Sequence, residues 1–436
     1  MIRTILRRYR VQRGAIRALA VTGQMHGPVL LDSKNRPLGN CIIWQDRRAA
    51  KETEEIRRRI SERALYRLSG YRLNPHMTGP KLLWIRKNRR ERYVRARRIL
   101  LPKDYLRSQF TGDFCTDWTD ANGTGFFNMR KKTWAYDIFD ELRLDASKMP
   151  EIRPSFEVVG ETAEFASRKI GLDTGIPVVA GGGDDVAAIG AKAASDSDLV
   201  ISLGTSSSTY ASSSKPILDP LMRLECFVSC EDGKWLLSGT TTSAGAAVDW
   251  ATRNMGAGSF QGTMDRNTYS FLDRHLSSRE PSGLLFLPYL AGERSPIWDT
   301  EAKGELVGIT LQHGRLDLIQ GVTEGVCFTL RSILDITEQL TQKRMGVVHV
   351  AGSATSSVAW MQMLANILGR KVAIPKESET TALGAAMLAA VGAKLVPSVA
   401  KAAQRFQRVV CTFKPEARAT SAYDAVYKKF ASLAQM

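Results

Sequence analysis

Pro177-Val178-Val179-Ala180-Gly181-Gly182-Gly183-Asp184-Asp185 runs from a short uncharged stretch into three glycines and two acids. Two adjacent valines suit a buried strand over 177–180. Glycines at a strand's end accept positive φ and let a ligand approach the backbone. A carboxylate at the C-terminal end of such a strand, facing a cleft, is placed to act as a general base. The same residues also read as a Gly-rich turn whose Asp caps a helix predicted over 186–194. Taken alone, the stretch leaves both readings open.

Outward from it, strands and helices alternate. Downstream, the polar break Ser195-Asp196-Ser197-Asp198 is followed by a restart: a strand over 199–203, the turn Gly204-Thr205-Ser206 and a strand over 207–211. Long helices are expected over 315–341 and 356–369, with a strand over 347–350 between them. Upstream, strands are expected over 15–22 and 29–32, and helices over 46–68, 81–96 and 103–110. Alternating elements imply an α/β protein in two halves, with domains over 1–195 and 196–436.

Other strand ends carry polar groups too. Gly204-Thr205-Ser206 offers hydroxyls and backbone N–H groups that can cradle a phosphate, or forms an ordinary hairpin turn. Ser353-Ala354 could admit an anion at a helix N-terminus. Gly23-Gln24-Met25-His26-Gly27 puts a polar trio between glycines, which suits a hydroxyl-binding loop as well as a structural histidine. Trp44 and Asp46 pair an aromatic plane with a carboxylate, as sugar sites do, or form a core Trp and a helix cap.

Composition excludes several classes. The chain has 436 residues, 61 Lys and Arg, 44 Asp and Glu, and a net charge of +17. A hydrophobic content of 44% supplies a core, so disorder is excluded. No apolar run approaches the ~20 residues that cross a bilayer. Six cysteines in this length make no disulfide framework. Cys226 and Cys230 would lie on one face of a strand as buried thiols, not as a zinc site, which implies a reducing, bacterial-type cytoplasm. Residues 1–100 hold 26 Lys and Arg against 7 Asp and Glu. These basic residues alternate with apolar positions at helix period and carry no recognition motif, so they read as solvated helix faces rather than a nucleic-acid surface. Ile2, Ile5, Leu6 and Tyr9 sit at helical spacing and predict an amphipathic N-terminal helix.

In order, GQMHGPVLLD (23–32), IIWQDRRA (42–49), TGPKLLWIRKN (78–88), the stretch from LPKDYLRS to KKTW (101–134), VVAGGGDD (178–185), ISLGTSS (201–207), LPYLAGERSPIWD (287–299), KGELVGITLQHGRLDLIQGVTEG (303–325), WMQMLANILG (360–369) and ALGAAMLAAVG (382–392) resemble the FGGY carbohydrate kinase family, nearest its xylulokinase branch. The resemblance implies a two-domain actin-like, ribonuclease-H-like ATPase fold with ATP and Mg²⁺ in an interdomain cleft. It implies phosphorylation of the primary hydroxyl of a ketopentose, most simply D-xylulose. Asp184 would be the general base. By the same route Met25 and His26 would contact the sugar; Gln24, Trp44, Asp46 and Asp185 join them as candidates from the reading of the residues themselves. Gly204, Thr205, Ser206 and Gly245 would serve the phosphates, and Gly352, Ser353 and Ala354 the adenosine. No metal ligand is assigned, no nucleic acid or membrane partner is implied, and a homodimer is common among such enzymes.

Three departures shape the expectations. No Asp-x-Gly-Thr phosphate loop precedes Gly23, so the first domain reads as incomplete at its start, and a weakly active or inactive relic that retains sugar or nucleotide binding is the alternative. Asp185 stands where the family usually has Asn, which bears on sugar identity. The segment Ala351-Gly352-Ser353-Ala354 is poorer in glycine than is usual.

Overall fold

The computed structural model describes residues 2–12, 14–191, 195–256, 266–276 and 280–434. Its largest sheet has seven strands, in the spatial order 225–228, 235–241, 207–213, 198–203, 347–351, 371–375 and 409–413. Asp198–Leu203 and Val347–Ala351 run parallel, with Ser202 opposite Ala351. Leu199, Val200, Ile201 and Leu203 are all buried. Burial on both faces is what a central strand covered by helices requires. The helix Arg315–Thr341 packs in that core through Ile319, Val322, Val326 and Ile333, together with Trp360 from Val358–Leu368.

The first half is built differently. Its described strands form two-stranded pieces: Thr22–Gly23 with Gly182–Gly183, Val29–Leu31 with Arg98–Leu100, and Val158–Glu161 with Pro177–Val179 among them. Aromatic packing of Phe126, Phe127, Trp134 and Phe139 fills its core, which extends to Val200, Phe227 and Ala351 of the large sheet. Asn122 joins the halves: its amide donates to Ser69 O at 2.7 Å, and its Oδ1 accepts from Val228 N at 2.8 Å.

Several predicted elements shift. The strand expected over 15–22 is regular only at Thr22–Gly23, with one bridge from Leu19 to Val178. The helix expected over 46–68 starts at Ala50 and breaks at Ile60, because Ser61 caps a new helix by accepting from Ala64 N. The basic segment expected over 81–96 divides into Thr78–Asn88 and Arg90–Arg95. The helix after Asp185 is described over Ala187–Gly190, following a 3-10 turn at Asp184–Val186; 192–194 lie outside the described residues. Cys230 lies beyond the strand Glu225–Val228, yet both thiols are buried and unpaired. Ile2–Arg8 is helical but buries nothing; Ile5 is 47% and Tyr9 68% exposed, so their spacing matches no core. The Arg-rich helices carry ion pairs as solvated faces do: Arg57 with Glu54 at 2.5 Å and Arg95 with Glu91 at 3.1 Å. Among the described residues, no helix is long and apolar enough to cross a membrane.

Candidate active site

The Gly-rich stretch and the GQMHG loop meet edge to edge. Thr22 pairs with Gly182 and Gly23 with Gly183 in parallel register. The Thr22 hydroxyl donates to Gly183 O at 3.1 Å. Parallel pairing puts both loops at the same ends of their strands, where α/β sheets bind ligands.

Buried charge holds this strand end from behind. Arg107 donates to Ala180 O at 2.7 Å and to Asp104 at 3.0 Å. Asp117 accepts from Thr119 Oγ1 at 2.9 Å and from Ser155 at 2.7 Å. Thr119 Oγ1 in turn accepts from Gly183 N at 2.8 Å. Lys103, fully buried, lies 2.5 Å from Asp104, 2.9 Å from Asp117 and 3.5 Å from Asp120. Burial alone would push its amine down, but Asp104, Asp117 and Asp120 outweigh burial and hold it above the ordinary lysine range. This cluster fixes the backbone from which Asp184 projects.

Asp184 is exposed. Solvent reaches its carboxylate, yet the surrounding protein desolvates it enough to raise its pKa, against a lowering hydrogen bond from its own backbone. A carboxylate that is accessible and more basic than usual suits proton abstraction. Asp185, next to it, is buried.

In the GQMHG loop Gln24 is exposed, Met25 buried and His26 half-buried, with His26 at φ +68°. His26 Nδ1 lies 2.6 Å from Gly123 O. Burial pulls its pKa down to about 4, with Lys81, His76 and Arg294 adding to the effect and the Gly123 bond opposing it. The ring is therefore neutral at pH 7. Nδ1 must donate to the carbonyl, which leaves Nε2 as an acceptor.

Lys81 joins three segments. Its Nζ donates to His26 O at 3.1 Å, Ile43 O at 2.9 Å and His76 O at 2.5 Å. Loss of hydration lowers its pKa to about 8, although Cys41 and Asp46 counter this. The loop bearing Trp44 and Asp46 is thereby tied to the GQMHG loop. His76 Nδ1 bonds Trp44 O at 2.7 Å. The Trp44 ring is 43% exposed, so it is no core residue. Asp46 is held by Arg48 at 2.6 Å and accepts from Arg48 N at 2.9 Å. Its carboxylate is bound within its own turn.

The phosphate and adenosine candidates assemble at the ends of the parallel strands of the large sheet. Gly204 follows one strand and Gly352 the other. Ala244 N and Ala246 N each donate to Thr205 O at 3.0 Å, and Gly245 N to Gly204 O at 2.9 Å. Gly352 sits at φ +106°, where a Cβ would lie 2.4 Å from Leu203 O. Only glycine lets these loops close on each other. Thr205, Ser206 and Ser353 are exposed, while Gly245 and Ala354 are buried. The first N–H groups of the helix Gly245–Met255 are thereby spent on the Gly204-Thr205 loop, which ties that loop to the helix start.

The motif carriers are thus gathered in two groups, and the FGGY family of carbohydrate kinases accounts for both. Its N-terminal domain matches residues 1–190 and its C-terminal domain residues 199–393. The chain belongs to this family. It is 34% identical over 380 residues to a xylulose kinase of Escherichia coli, covering 87% of this chain and 76% of the relative. A ligand-bound xylulose kinase from Lactobacillus acidophilus superposes with TM-score 0.90 at 25% identity, over 100% of this chain and 87% of the other. A gluconate kinase from Lactobacillus acidophilus gives 0.91 at 25% identity, over 100% and 86%. As an FGGY kinase the chain has the family's two-domain actin-like fold and is a carbohydrate phosphotransferase, with ATP as the family's co-substrate.

Residues that sequence reasoning assigned no role are Lys81, Lys103, Arg107 and Thr119, all inside the quoted motifs. No local signal separates Lys81, Lys103 and Arg107 from the chain's solvated lysines and arginines, because their partners lie far away in sequence. Arg294, from the quoted GERSP segment, is another. Its charge reaches Glu225, whose burial raises its pKa to about 7 against Arg294 and Arg72, and it reaches His26.

Proposed function

We propose that the chain is an ATP-dependent ketopentose kinase that converts D-xylulose to xylulose 5-phosphate. The observation that carries this reading is an exposed, unusually basic Asp184 at the end of the paired strands, beside the GQMHG loop. Asp184 takes the proton of the sugar's primary hydroxyl as that oxygen attacks the γ-phosphorus. The bond to the β,γ-bridging oxygen breaks and ADP leaves. Positioning and charge neutralisation supply most of the catalysis in such transfers.

The Nε2 acceptor of His26 and the loop of Gln24 and Met25 orient the sugar, with Trp44 as a flanking plane and Asp185 beside the base. Gly204, Thr205, Ser206 and Gly245 receive the phosphates; Gly352, Ser353 and Ala354 receive the adenosine. Among the described residues no group of three or more His, Cys, Asp or Glu could cage a metal. Mg²⁺, where ATP brings it, would neutralise charge on the transferring phosphates. The unpaired thiols suit a reducing cytoplasm.

The test is ADP release from ATP with xylulose, ribulose, gluconate and glycerol. Xylulose should give the highest kcat/KM. A higher value for gluconate or glycerol would replace the substrate, and binding of ATP and ketose without ADP release would favour a binding-only protein.

A further inference from the structure

Asp185 is 7% exposed, and neither of its carboxylate oxygens has a hydrogen-bond partner among the described residues. A buried ionised carboxylate without donors is costly. Thr119, whose hydroxyl acts on Asp185, is already committed: its one proton is directed to Asp117 at 2.9 Å, and its oxygen accepts from Gly183 N. Lys103 is engaged by Asp104, Asp117 and Asp120.

The groups around Asp185 discourage ionisation. Burial raises its pKa well above the ordinary carboxylate range; Asp117 and Asp184 add to this, and Thr119 and Lys103 only partly oppose it. Asp120 interacts with it from the same helix as Thr119. Tyr71, Tyr210 and the Cys230 thiol also face it, and all three are held protonated, mainly by burial. Lys103 is thus the one cation among these neighbours.

Asp185 also lies against the sugar loop. A Cβ placed on Gly183 would fall 2.7 Å from Met25 Sδ and 3.1 Å from Asp185 Oδ1, so both side chains rest over the same backbone. We propose that Asp185 works as an un-ionised carboxylic acid and donates its O–H to an acceptor oxygen of the sugar, a bond an ionised carboxylate cannot make. This rests on the reading of that loop as the sugar site.

Two measurements test it separately. The first is stability. If native Asp185 keeps its proton above the unfolded value of about 3.9, the native state binds more protons than the unfolded one. Its contribution to stability then falls as pH rises from about 4 to the native pKa. The gain in Tm of Asp185→Asn over the parent should therefore grow between pH 4 and pH 8; a gain independent of pH overturns the un-ionised state, whatever the substrate.

The second is xylulose binding without ATP. Above the pKa of Asp185 the parent should lose about tenfold in affinity per pH unit, while Asp185→Asn, which retains a donor, stays level with pH. Asp184 is present in both proteins, and its coupling to Asp185 makes the difference between the two profiles a property of the pair. Asp185→Leu should bind at least tenfold more weakly at every pH. Parallel pH profiles for the parent and Asp185→Asn overturn the donor role. Xylulose binding by none of the three proteins overturns the donor role together with the sugar-site reading, while the Tm series still reports the protonation state.

Discussion

The two loop groups of this kinase, proposed above for the sugar and for the nucleotide, are built from different materials. The loops at Gly204 and Gly352 close through backbone contacts at the ends of a seven-stranded sheet. The loops at Met25 and Asp184 hang from two-stranded pieces and are held by buried side chains: Lys81, Lys103, Arg107 and Thr119. A backbone-built site tolerates side-chain change but not added bulk. A site held by buried charge tolerates little loss of charge, because each missing partner leaves another group unpaired.

The largest effect should come from the proposed general base. Asp184→Asn should lower kcat by about 10²–10⁴-fold while ATP still binds. In the parent, the acid limb of kcat/KM should lie above the ordinary carboxylate range, because the Asp184 pKa is raised. Loss of ATP binding in Asp184→Asn would mean that the two sides are not separable.

Lys103→Met should come next. It leaves Asp104, Asp117 and Asp120 crowded without their cation, and removing one partner of a buried pair costs about 3–5 kcal/mol. Urea unfolding measures it; a loss below about 1 kcal/mol would show that the cluster behaves as a surface pair does.

Gly352→Ala sharpens the contrast from the other side. Its Cβ would meet Leu203 O at 2.4 Å, an overpacking that costs about 1–3 kcal/mol. The KM for ATP should rise about tenfold, at roughly 1.4 kcal/mol per decade, with xylulose binding in the absence of ATP little changed. An equal rise for both substrates would erase the distinction.

The smallest effect concerns His26. Its pKa falls from the usual 6.5 to about 4, through burial first. Between these values the unfolded chain holds the extra proton, so this contribution to stability is present above pH 6.5 and is lost as pH falls toward 4. Urea midpoints should therefore drop more steeply with acid in the parent than in His26→Gln. Identical slopes would mean that the ring accepts a proton in place.

The helix over 315–341 was legible to the residue, because helical periodicity is a local property of a chain. The strand ends at Gly181–Asp185 and Leu203–Ser206 were legible too, since glycine and hydroxyl residues mark where backbone must turn. Trp44 and Asp46 were legible as a pair, but the structure binds the Asp46 carboxylate to Arg48.

Sequence by itself thus determined the alternation of elements, the two halves and the family. Only the tertiary structure decided which of the many basic residues go inside. Lys81 reaches His26, 55 positions away, and Arg107 reaches Ala180, 73 positions away. Nothing in their immediate neighbours separates them from solvated lysines and arginines, because the cost of burying a charge is offset by partners that only folding brings near.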